Sequence, residues 1–258
     1  SRRRHTRLQG DWSSDVCSSD LAFKRRDANF ADIYSTSIDT ASRSRLGLGV
    51  SDIKTRMSQT QGGFKETGVV LDLAIEGNGL FALQDGANQL KNVFTRDGSF
   101  TLNGEGVLVN RDGYTLLSSI GQEIKIPPRA SGYFTPEGFK AFEEAPLNNV
   151  TIGAGGSVEV TYGTNNVFSV GRIGLAIFSD PNHLTPIGSN LFKANNVVGE
   201  GAIGAALVGG RGKVHAGKLE MANVDITQEM TGMIRAQQAF SGSSRLLQAE
   251  VEMMRKFT

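Results

Sequence analysis

The sequence predicts a mainly β protein with a long C-terminal α-helix: a hairpin-rich β domain followed by a coiled-coil-type terminal helix. Three observations carry this. Glycine makes up 32 of 258 residues, well above the roughly 7% of an average protein. Four turn dipeptides, Asp85-Gly86, Asp97-Gly98, Asn103-Gly104 and Asp112-Gly113, punctuate short β-prone runs, as successive hairpins do, and would supply positive φ. After Asp225 the apolar spacing changes to a 4-3 ladder, which is the seam of a coiled coil.

Residues 1–20, SRRRHTRLQGDWSSDVCSSD, have no apolar periodicity and hold the only Trp (Trp12) and the only Cys (Cys17). No apolar stretch follows the three Arg, so this is not a secretory signal. The string resembles translated sequencing-adaptor read-through and reads as a non-native, adaptor-like segment. Without it Lys+Arg falls from 27 to 23 and Asp+Glu from 26 to 23. The remaining chain has zero net charge and no Cys, and the native protein is expected to extend upstream of Leu21.

Residues 21–71 are rich in Ser and Thr and read as an extended connector. A β-rich domain is expected over 72–220. Asp72–Glu76 alternates, Gly77-Asn78-Gly79 turns the chain, and Leu80–Leu83 runs on. Further strands are expected at Val93–Thr95, Ser99–Leu102, Val107–Asn110, Tyr114–Leu117, Ile124–Ile126, Val150–Ile152, Gly156–Thr161 and Val167–Phe178. The near-continuous apolar run Ile173–Phe178 predicts a central, buried strand. Residues 129–147 read as an insertion or loop, with a helical turn near Pro136-Glu137-Gly138-Phe139. The Gly/Ala/Asn-rich stretch 195–212 reads as a loop, and Lys213–Glu220 as a final strand.

Residues 221–258 carry the helix. Ile226, Met230, Met233, Phe240, Leu247, Val251 and Met254 fall on the 4-3 ladder, with Gln237 and Ser244 as its polar rungs. So narrow a seam suits a partner helix better than the broad stripe of a helix lying on its own domain. Asp225 and Gln228 suit an N-cap and capping box. Gly232 and Gly242 each weaken the helix by about 1 kcal/mol relative to Ala, so packing must hold it. Residues 21–225 contain no second heptad run. The partner is therefore missing from this chain, lies upstream, or comes from another subunit; the alternative is packing on the β domain.

Charge and composition exclude several function classes. The near-zero net charge argues against gripping nucleic acid by its phosphates, and no apolar run is long enough for membrane insertion by a helix. Gly209-Gly210-Arg211-Gly212-Lys213 is not a phosphate loop, because Leu207 stands where the first Gly is required and no Ser or Thr follows Lys213. His183 and His215 lie in no hydrolase motif. The carboxylates Asp72, Glu76, Asp97, Asp112, Glu143 and Glu144 are plentiful, but Asp97 and Asp112 each precede a turn glycine, which explains them without chemistry. No catalytic residue, cofactor or metal site is expected.

Several segments together resemble the flagellar hook–basal-body axial protein family. Phe23-Lys24-Arg25 is similar to the family's Gly-[Phe/Tyr]-Lys, and Ser58–Gly68 to its T-Q-G-x-x-x-x-T-G connector. Asp72–Phe81 is similar to D-L-A-I-x-G-x-G-F-F, and is followed by Phe94-Thr95-Arg96-Asp97-Gly98-Ser99-Phe100 and Leu108-Val109-Asn110. Leu219–Asp225 resembles L-E-x-S-N-V-D, and Ala236–Phe240 resembles A-Q-R-A-Y. Ala222, Gln238 and Phe240 depart from the family's Ser, Arg and Tyr.

The resemblance implies a structural subunit of the bacterial flagellar axial tube, exported through the flagellar type III apparatus without a cleaved signal. It implies self-assembly, with copies of itself and other axial proteins as partners, and an upstream helix as the missing heptad partner. The β domain would form an outer layer, and the seam residues Ile226, Met230, Met233, Phe240, Leu247, Val251 and Met254 would form the assembly interface. A single β domain favours a distal rod subunit, with the hook next. The rival from another class is a β-rich binding module such as an adhesin or phage-tail component.

Overall fold

The computed structural model describes residues 21–34, 47–85, 92–135, 138–163, 166–194 and 201–257. The adaptor-like segment, Gly86 of the first turn dipeptide and Pro136-Glu137 of the expected helical turn lie outside them. The chain divides into two compact units, one up to Asn223 and one from Val224 onward.

The first unit is built of strands. In chain order they are β1 (Arg26–Tyr34), β2 (Gly47–Met57), β3 (Phe64–Glu66), β4 (Leu73–Glu76), β5 (Leu80–Gln84), β6 (Asn92–Thr95) and β7 (Thr101–Leu102). There follow β8 (Leu108–Val109), β9 (Thr115–Leu116), β10 (Arg129–Thr135), β11 (Gly138–Ile152), β12 (Ser157–Tyr162) and β13 (Asn166–Arg172). The last are β14 (Gly174–Ile177), β15 (Thr185–Gly188), β16 (Leu191–Lys193), β17 (Ala202–Ala205), β18 (Lys213–Ala216) and β19 (Lys218–Glu220).

The main sheet runs β15-β16-β6-β5-β9-β8-β7, and β14 joins it between β5 and β17. As the apolar run predicts, β14 is interior, and Leu175 and Ala176 are fully buried. Two apolar clusters fill the unit. One is centred on Phe81 and Phe100, which meet edge-to-face with ring centroids 5.3 Å apart. The other holds Phe94 and Phe178 at 4.7 Å in the same geometry. A side chain of this size fully buried contributes roughly 1.5–3 kcal/mol, so these rings anchor the sheet.

The turns follow one repeated device. Asn103 accepts through Oδ1 from the amides of Glu105 and Val107, and Asn110 accepts likewise from Asp112 and Tyr114. In each turn a glycine three residues on, Gly106 or Gly113, takes positive φ and donates to the Asn carbonyl. The expectation of positive φ therefore holds at Gly113 but is corrected at Gly98 and Gly104. At Asn103 the side chain fixes the turn and moves the left-handed residue from position 104 to 106. Gly98 is needed for a different reason: a Cβ there would lie 1.7 Å from the Leu73 carbonyl oxygen.

Three stretches differ from their expected form. The connector 21–71 contains β1 and β2, which pair antiparallel as a long hairpin. Residues 129–147 are strand rather than loop: β10 pairs with the first part of β11, whose second part pairs with β12. The stretch 195–212 holds β17, paired with β14. In each case neighbouring strands supply the hydrogen bonds, so pairing overrides weak local propensity.

The second unit is the helix α1 (Ile226–Phe257). Asp225 caps it, its carboxylate accepting from the Thr227 amide at 2.8 Å. Glu229 lies in the first turn and Arg255 and Lys256 in the last, which suits the helix dipole. At 1.5 Å per residue it is roughly 48 Å long.

Candidate functional site

The ladder residues Ile226, Met230, Met233, Phe240, Leu247, Val251 and Met254 all lie on α1, and all are between 60% and 77% exposed. Ile234, Leu246 and Met253 are exposed beside them. A contiguous exposed apolar patch is uncommon on the surface of a monomeric protein.

The first unit holds a second feature, one that sequence reasoning did not single out. Glu220 ends β19 with its side chain fully buried. One carboxylate oxygen accepts from Lys24 Nζ at 2.6 Å and from the Gly62 amide at 3.2 Å. The other accepts from Arg96 Nε at 2.6 Å. The Lys24 and Arg96 side chains are only 10% and 7% exposed. Burial alone would raise the Glu220 pKa, but Arg96 and Lys24 outweigh it and hold the carboxyl below its ordinary value. Burial pulls the Lys24 ammonium down, opposed by Glu220.

The rest of the Arg96 guanidinium meets backbone. It donates to the carbonyls of Ile75 at 2.8 Å, Gly77 at 2.7 Å and Gly79. Gln61 grips the same turn, donating to the Ile75 carbonyl and accepting from the Gly77 amide. Asn223 donates to the Thr60 carbonyl at 2.9 Å and accepts from the Arg25 amide at 2.7 Å. Gly62 fits only without a side chain, since a Cβ would lie 1.9 Å from the Met221 carbonyl oxygen.

Residues from five separate motifs thus meet in one hydrogen-bonded junction: Lys24, Gln61, Gly77, Arg96, Glu220 and Asn223. It also ties two distant stretches side by side. Leu21 bridges Met221, the Ala22 amide donates to the Glu220 carbonyl, and the Asn223 amide donates to the Phe23 carbonyl.

The other candidates from the sequence are scattered. His183 pairs with Asp180 at 3.1 Å, and His215 with Glu76 at 2.7 Å, each on the surface. Asp97 and Asp112 line a cleft of about 330 Å³ with Asn110 and Arg111. Asp97 accepts from the Ser99 amide, and burial raises its pKa. Asp72 bridges Ser99 through its backbone. Glu143 and Glu144 lie where side chains are outside the description. The Gly209–Lys213 turn is closed by Arg211, which donates to the carbonyls of Leu175, Ala202 and Val208. Its guanidinium is thereby engaged by backbone carbonyls. Among the described residues no three His, Cys, Asp or Glu side chains are grouped to hold a metal ion, and no helix is long and apolar enough to cross a membrane.

Comparison with known proteins agrees with the motifs. A family model described as the flagellar hook protein FlgE/F/G D1 domain matches residues 74–160. One described as the flagellar basal body rod FlgEFG protein C-terminal matches 215–258. The flagellar basal-body rod protein FlgG of Bacillus subtilis (strain 168) is 31% identical, over 92% of this chain and 86% of its own length. FlgG of Borreliella burgdorferi is 33% identical, over 81% and 72%. The flagellar basal-body rod protein FlgF of Caulobacter vibrioides is 31% identical, over 80% and 71%. Matched along nearly its whole described length, the chain belongs to the flagellar rod and hook family of axial structural proteins.

Proposed function

We propose that this chain is a self-assembling subunit of the basal-body rod, and that the α1 seam is its assembly interface. The observation that carries the reading is the exposed 4-3 ladder from Ile226 to Met254. So narrow a ladder suits burial against another helix better than against a sheet. An upstream helix of the same subunit and the helices of neighbouring copies are the partners. The side-by-side pairing of residues 21–23 with 220–223 favours this, because it brings the chain on both sides of the β unit to one point. The β strands over 72–220 form the outer layer, and 21–71 links the layers.

Identical subunits meeting through heterologous contacts that do not close generate a helical tube. The tube transmits torque, and its subunits leave the cytoplasm through the flagellar export apparatus without a cleaved signal. The names of the relatives, basal-body rod proteins rather than hook proteins, favour the rod. The role is mechanical rather than enzymatic, in keeping with carboxylates that are scattered, Asp97 held in its turn and Glu76 paired with His215. The direct test is complementation. The chain, expressed with its native upstream sequence in a strain lacking its rod subunit, restores rods and motility; a strain that remains rodless would contradict the reading.

A further inference from the structure

Three of the seven apolar ladder residues are methionines, Met230, Met233 and Met254, and Met253 adjoins them. These four are 58% to 68% exposed, whereas Met57, in the core of the β unit, is 9% exposed. Methionine is polarisable and adaptable in packing, and its thioether is the group in an apolar seam most open to mild two-electron oxidants.

We propose that the ladder methionines form an oxidation-labile site, labile to peroxides while the subunit is free and shielded once it is assembled. Conversion of Met230, Met233 and Met254 to sulfoxides blocks assembly. The inference rests on the seam reading above. In the step, the thioether sulfur attacks one oxygen of hydrogen peroxide and an S–O bond forms as the O–O bond breaks. The second oxygen leaves as hydroxide and takes the remaining proton to become water. Sulfur loses two electrons and the peroxide gains them. The product is a strong hydrogen-bond acceptor at a position that must face a partner's apolar side chains, where an acceptor without a donor is costly to bury. Methionine sulfoxide reductases reverse the change, so the block is reversible.

The test treats the chain, carrying its native upstream sequence, with hydrogen peroxide, maps sulfoxides by peptide mass spectrometry, and measures polymer pelleted by ultracentrifugation. Beside it run Phe240→Asp and a triple variant, Met230→Leu with Met233→Leu and Met254→Leu. The expected result is oxidation at the four helix methionines well ahead of Met57. The critical concentration for assembly rises about tenfold or more, the change expected from burying one or more unsatisfied acceptors. The leucine variant assembles equally with and without peroxide. Helix methionines that oxidise no faster than Met57 overturn the proposal. So does a fully oxidised chain that assembles normally while Phe240→Asp does not, and that outcome leaves the seam reading standing. If the oxidised chain and Phe240→Asp both assemble normally, the seam reading falls and the proposal falls with it.

Discussion

Replacing Glu220 by Gln removes one charge from the junction while keeping its size. Lys24 and Arg96 then remain as two buried cations, 10% and 7% exposed, with no counter-charge. The Gln amide can place its oxygen toward Lys24 and the Gly62 amide, but its NH₂ then faces the Arg96 Nε–H across what is now a 2.6 Å contact. Two donors meet, and Arg96 must shift off the Ile75, Gly77 and Gly79 carbonyls or lose a partner. Breaking a buried pair by removing one member costs about 3–5 kcal/mol, a large share of the 5–15 kcal/mol that holds a typical domain together. Urea unfolding followed by the strand signal in circular dichroism measures this directly. A loss below about 1 kcal/mol, the value of an exposed pair, would refute the junction as described.

Further outcomes follow from the same structure. The Glu220 pKa is depressed below its ordinary 4.5 in the folded chain, so its stabilisation is complete above that value. It is lost as pH falls through the lower folded value; urea midpoints measured at decreasing pH should fall more steeply for the parent chain than for Glu220→Gln. Ala22 stands at φ 54°, in the left-handed region. The left-handed conformation costs an L residue about 1–2 kcal/mol, and the freer unfolded chain of Gly offsets about 0.4–1 of that. Ala22→Gly should therefore raise the melting temperature of the β unit by a few degrees at most, and a lower value would contradict the strain. Gly98→Ala drives a Cβ into the Leu73 carbonyl oxygen, whereas Gly104→Ala meets nothing within 4 Å. Thermal melting should show a loss of about 1–3 kcal/mol for the first and a change within about 0.5 kcal/mol for the second.

The terminal helix was the most legible part of the sequence, because a 4-3 ladder over four heptads and a capping Asp225 are local signals. The central strand β14 was legible for a similar reason, since Ile173–Phe178 is an unbroken apolar run. The hairpin β10–β11 and the strand β17 were not. Their sequences carry glycines, charges and, in β11, a proline; β10 and β11 become strands by pairing with each other, and β17 by pairing with the non-adjacent β14. The junction was hidden more deeply. Lys24, Arg96 and Glu220 are charged residues of types that usually face water, and Glu220 lies 124 positions from Arg96 and 196 from Lys24. The motifs containing them could be recognised as shared segments, but only the fold shows that they touch.

The central claim is that the α1 ladder, and not the β unit, drives axial assembly. Phe240→Asp and Leu247→Asp each place a carboxylate on that ladder, at positions 77% and 62% exposed in the free chain. Burying the charge in an apolar seam costs several kcal/mol, while the free β unit is not perturbed. The decisive measurement counts rods by electron microscopy in cells making each variant, alongside the cooperative melting of the purified chains. The account predicts no rods and an unchanged β-unit melt; rods formed at parent numbers, or a β unit that no longer melts cooperatively, would contradict it.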